Sequence, residues 1–110
     1  MNVVSLLGNL ASDVDLKEVS AEKKVASFVL AVDRPGKDSG ADFVRISTWD
    51  RQAELCAQYL AKGRQVALDG RIRSRSWEED GKRRSAIEVV ANRVQFLAGA
   101  ASREEVPFAA

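Results

Sequence analysis

The stretch Asp42-Phe43-Val44-Arg45-Ile46-Ser47-Thr48-Trp49-Asp50-Arg51-Gln52-Ala53-Glu54-Leu55-Cys56-Ala57-Gln58-Tyr59-Leu60 changes its hydrophobic period half-way along. Up to Trp49 the side chains alternate, with Val44, Ile46 and Thr48 on one face and Phe43, Arg45, Ser47 and Trp49 on the other. That period of two is the period of a strand. From Asp50 the spacing lengthens. Leu55, Cys56, Tyr59 and Leu60 recur every three to four residues and make the apolar stripe of a short helix. Asp50 has the chemistry of an N-cap, Gln52 to Leu60 are good helix formers, and Lys62-Gly63 is a usual helix ending. A strand that runs straight into a helix is therefore the pivot of the chain.

Strands lie on both sides of that pivot. Val3 to Leu7 is a short apolar run closed by Gly8-Asn9. Lys24 to Val32 is a second run, ending at Asp33-Arg34-Pro35-Gly36, and a polar loop then extends to Gly40. Downstream, Gln65 to Trp77 and Ser85 to Phe96 read as two strands joined by Glu79-Asp80-Gly81-Lys82, where Asp-Gly is a strong hairpin signal. Five strands with one helix between the third and fourth is the order of an OB-fold barrel. The expected architecture is all-β with one short helix, a domain over residues 1–97 and a short tail over 98–110.

Composition narrows the function. The chain has 110 residues, 45% of them hydrophobic, enough for one modest core. Seventeen Lys and Arg oppose sixteen Asp and Glu, so only the placement of charge, not its sum, can point to nucleic acid. Cys56 is the sole cysteine, which rules out an intrachain disulfide and suits a reducing compartment. Histidine is absent, and with it the commonest general base and metal ligand. Asp13, Asp15, Glu54 and Glu88 scatter over different elements. No catalytic site, metal or cofactor is expected. There is no apolar run of membrane length and no signal-peptide pattern at the start, so a cytoplasmic location is the default.

The outward faces are where the sequence departs from what packing asks. On the fourth strand Val66, Leu68, Gly70 and Ile72 alternate with Arg71, Arg73, Arg75 and Trp77. Three guanidiniums two residues apart repel one another, and a core gains nothing from that arrangement. A polyanion laid along the sheet relieves it, and every nucleobase has a π-face to stack on a nearby ring. Bland readings stay open at this point. Phe43 and Trp49 can be covered by a loop or a partner subunit, and the arginines can form a solvated edge beside Glu78, Glu79 and Asp80. A module for protein or structured RNA also fits.

The motifs together resemble the bacterial single-stranded DNA-binding proteins. The likeness runs from Met1-Asn2-Val3-Val4-Ser5-Leu6-Leu7-Gly8-Asn9-Leu10 through Asp13, Val25-Ala26-Ser27-Phe28 and Asp42-Phe43-Val44-Arg45-Ile46. It continues with Trp49, Gln52-Ala53-Glu54, Tyr59-Leu60-Ala61-Lys62-Gly63, Gln65-Val66 and Gly70 to Trp77. Glu88-Val89-Val90-Ala91 and Val94-Gln95-Phe96-Leu97 complete it. The resemblance implies sequence-independent binding and protection of single-stranded DNA in replication, recombination and repair. Phe43, Trp49 and Trp77 match its base-stacking aromatics, and Arg45, Arg51, Lys62, Arg73 and Arg75 match its basic positions along the DNA path; the outward row adds Arg71.

A homotetramer is also implied, with the first strand helping to pair subunits. Both faces of that strand are apolar here, Val4 and Leu6 on one and Val3 and Leu7 on the other. Two departures stand out. Gly36 occupies a loop position where members often carry an aromatic, so one stacking platform is missing. The tail Glu104-Glu105-Val106-Pro107-Phe108 resembles the acidic tip that recruits replication or recombination proteins, but Ala109-Ala110 follow the phenylalanine.

Overall fold

A computed structural model describes residues 1–36 and 40–97, and the tail at 98–110 lies outside them. The elements are β1 (Val4–Leu10), β2 (Asp15–Glu18), β3 (Lys24–Asp33), β4 (Ala41–Trp49), α1 (Asp50–Tyr59), β5 (Gln65–Glu79) and β6 (Lys82–Phe96). Strand β1 pairs with both β5 and β3, and the order β1-β5-β6-β4-β3 closes on itself. Among the described residues, only the β4–β6 pairing is parallel. A closed five-strand ring with a helix between β4 and β5 is an OB-fold barrel, as the element order predicts.

The barrel is filled by the inward halves of its strands. Phe28 and Leu30 of β3, Ile46 of β4, Val66 and Leu68 of β5 and Val89, Val94 and Phe96 of β6 form one cluster. Cys56 of α1 and Leu60, just past its end, join it, and the Tyr59 ring tilts against Phe96 with centroids 6.3 Å apart. Burial raises the Cys56 thiol to about 12, so it stays neutral and acts as a small apolar side chain. Two glycines let strands approach closely. A Cβ on Gly8 would meet the Ala31 carbonyl, and one on Gly70 the Val90 carbonyl and, at 2.9 Å, the Ala91 Cα.

The structure corrects several sequence expectations. A sixth strand, β2, pairs with β3 at the edge of the sheet. All four of its residues are exposed, so it carries no apolar alternation to find. Asp50 is the first helical residue, not the cap. Trp49 holds that position without a side-chain cap bond, and Asp50 adopts a left-handed φ of 59°. The helix stops at Tyr59, where the chain turns extended at Leu60, and Gly63, at φ 97°, serves the following turn instead.

Ser47 is buried where alternation had it facing water. It is a short side chain in a row between Ser27 of β3 and Val90 of β6, with Arg45 and Trp49 rising on either side along β4. Ile72 is 45% exposed where an inward position was expected. Beyond Gly70 it is β5 that leaves the barrel, whereas β6 stays in it as far as Glu88, so that Val89, the cross-strand partner of Ile72, is still buried in the core. Strands β5 and β6 run on as a two-stranded ribbon to the turn at Asp80-Gly81, both at positive φ. No residue from Arg71 to Glu79 is buried.

Candidate nucleic-acid interface

Register decides whether the two outward rows meet. In a sheet, directly paired residues place their side chains on the same face. Ser47 of β4 pairs with Val90 of β6, and Val90 pairs with Arg71 of β5. Steps of two from that row place Phe43, Arg45, Ser47 and Trp49 of β4 on one side of the sheet. Arg84, Ala86, Glu88 and Val90 of β6 share that side, as do Arg71, Arg73, Arg75 and Trp77 of β5. Pairing with β3 extends the face, since Trp49 lies opposite Val25, and Val25 opposite Lys17 of β2. Both rows stand on one outer face.

Its rings are accessible in different degrees. Phe43 is 69% exposed and Trp77 40%, while Trp49 is half-buried. The Arg75 guanidinium lies 5.6 Å from the Trp77 ring centroid, within cation–π range. Opposite Trp77 across the ribbon stands Arg84. At the end nearer α1, an open hollow of about 440 Å³ is bordered by Trp49, Arg51, Gln52, Arg71 and Asn92. Asn92 reaches it because β6 is bulged. Gly70 pairs with Ala91 and Asp69 with Arg93, which leaves Asn92 as the extra residue.

Gln52 fixes that corner. Its amide nitrogen donates to Thr48 Oγ1 at 2.7 Å and to the Asn92 carbonyl at 3.2 Å, and its Oε1 accepts from the Val94 N–H at 2.8 Å. The first turn of α1, with Arg51 on it, is thereby tied to the bulge.

Two basic residues behave differently from the rest. Arg73 is engaged by Glu88, with Nη2 donating at 2.6 Å and Nε at 3.1 Å to the same carboxylate oxygen. Lys62 lies in the loop between α1 and β5, where its backbone N–H donates to Asp13. It does not belong to the rows that the register aligns. Arg84, Lys17, Gln52 and Asn92 join the site although the sequence reading passed over them. Arg84 had a signal, since it alternates with Ala86 and Glu88 along β6. Asn92 had none, because a bulge breaks the alternation that would reveal it.

The family model described as "Single-strand binding protein family" matches residues 1–97. The chain belongs to that family. Among its relatives, "Single-stranded DNA-binding protein 3" of Clostridium acetobutylicum is 47% identical over 102 residues, which cover 88% of this chain and 71% of that protein. "Single-stranded DNA-binding protein" of Treponema pallidum is 41% identical over 114 residues, 96% of this chain and 64% of its own length. The protein of the same name from Clostridium tetani is 45% identical over 102 residues, 88% of this chain and 70% of its own. The chain thus spans roughly two thirds of these single-strand binding relatives.

Proposed function

We propose that this chain binds single-stranded DNA without reading its sequence, as a non-catalytic protein of replication, recombination and repair. The observation that carries the reading is the shared face. Phe43, Trp49 and Trp77 stand on the same side of the sheet as Arg45, Arg71 and Arg75. Bases stack on the rings while guanidiniums take the phosphates, and stacking does not discriminate among bases. Arg51 and Arg84 add cations at the two ends of the face. Lys62 acts, if the strand passes the α1–β5 loop, as an outlying phosphate contact. Arg73 already has a carboxylate partner and contributes least.

The domain at 1–97 does this work and the tail at 98–110 recruits replication or recombination proteins through Glu104, Glu105, Val106, Pro107 and Phe108. The assembly is a homotetramer. Val3, just before β1, and Leu7 within it are large, exposed and apolar, which supports burial against other subunits. No helix among the described residues is long and apolar enough to cross a membrane, and the cytoplasm is the proposed location.

The test is titration with oligo-dT, read by tryptophan fluorescence and by anisotropy of a labelled strand. Emission falls on saturation as Trp49 and Trp77 stack, and duplex DNA or folded RNA fails to compete. Affinity declines with salt at a log–log slope of about −0.7 per neutralised phosphate. Unchanged emission with equal competition by duplex would overturn the proposal.

A further inference from the structure

Glu88 is an acid in the middle of a cationic face. It is only 4% exposed. On β5 its cross-strand partner is Arg73. On β4, Arg45 stands one residue before Ile46, as Glu88 stands one before Val89, and Ile46 pairs with Val89 in parallel. The carboxylate therefore occupies the row between two arginines, and its Oε1 takes both donors that Arg73 offers, at 2.6 and 3.1 Å.

A buried carboxylate must keep its partner, because one left unpaired in a low-dielectric site is strongly destabilising. A DNA phosphate that captured the Arg73 guanidinium would strand Glu88 in that condition. We infer that Glu88 is a phosphate-excluding residue, which withdraws Arg73 from the charge that a DNA strand meets and reserves the centre of the face for a base. The inference rests on the binding proposed above and adds to it a division of the surface. Phosphates run past Arg45, Arg71, Arg75 and Arg84, and the Glu88–Arg73 pair presents a neutral patch beneath the bases. An array of like charges would grip phosphates at every step; a neutralised pair fixes where the backbone cannot lie.

The experiment measures binding of labelled oligo-dT over a potassium chloride series for three proteins. In Glu88→Gln the neutral amide no longer neutralises Arg73, which becomes free to take one phosphate. Its slope steepens by about 0.7, and affinity at 0.1 M salt rises about fivefold, the factor such a step gives at that concentration. In the double variant Arg73→Gln, Glu88→Gln the pair is removed whole, leaving no unpaired buried charge. Its slope stays at the wild-type value. A double variant whose slope falls by about 0.7, or a folded Glu88→Gln whose slope does not change, overturns the inference. If Glu88→Gln fails to fold, the double variant alone decides. Wild-type protein that ignores oligo-dT sinks the binding reading instead, a result distinct from either.

Discussion

Strands β5 and β6 obey one rule on the barrel side of the Arg73–Glu88 pair and another beyond it. Within the barrel, Val66 and Leu68 of β5 and Val94 and Phe96 of β6 are buried, alternating with exposed or half-buried neighbours. In the ribbon beyond, both faces meet water, with Ile87 on one and Arg75, Trp77 and Arg84 on the other. The same two strands hydrogen-bond throughout, so pairing is not what differs. Burial is. An isolated two-stranded ribbon is marginal in water, so the barrel supplies the stability and the ribbon spends none of its side chains on it. Residues of the ribbon are thereby released from packing, and their chemistry is free to follow a ligand.

Three substitutions test that contrast in decreasing size. Phe28→Ala empties the barrel core and is expected to cost about 3–5 kcal/mol in urea unfolding. A loss below about 1 kcal/mol would mean that the barrel is not where stability resides. Gly70→Ala stands where β5 leaves the barrel. Its new methyl meets backbone of Val90 and Ala91, which cannot swing aside, and about 1–3 kcal/mol is expected. Phe43→Ala touches the outer face and should reverse the pattern. Stability moves by no more than about 0.5 kcal/mol, while affinity for oligo-dT falls by about 1–3 kcal/mol, roughly fivefold to a hundredfold. A ring that proved structural would show the opposite ranking.

How far the sequence reached follows the same border. Alternation gave the inward sets correctly wherever a wall faces them, as at Ile46, Val66 and Leu68. It misplaced Ile72 because period two reports which side a residue is on, not whether anything lies opposite. Ser47 failed for the converse reason, a small side chain sheltered on an outward face. Strand β2 escaped notice because backbone pairing at an edge needs no apolar pattern. At the site, the alternating arginines of β5 were legible as a row, whereas the ion pair that engages Arg73 was not. Fifteen residues separate Arg73 from Glu88, and only the hairpin register brings them together.

The smallest expected effect is the most direct probe of the ribbon. Ile87 is 66% exposed and sits diagonally from Ile72 on the face opposite the arginines. Replacing it with serine removes little that the single chain buries, so unfolding should shift by less than about 0.5 kcal/mol, or at most about 4 °C in Tm. The measurement is worth making at two protein concentrations tenfold apart. A small, concentration-independent change says that the ribbon carries its apolar residues uncovered, as the contrast with the barrel requires. A loss above about 1.5 kcal/mol that varies with concentration would place Ile87 in a subunit contact, since linkage to assembly is what makes stability depend on how much protein is present. The ribbon would then pack after all, against other chains, and its freedom from packing would hold only for the face that bears the arginines.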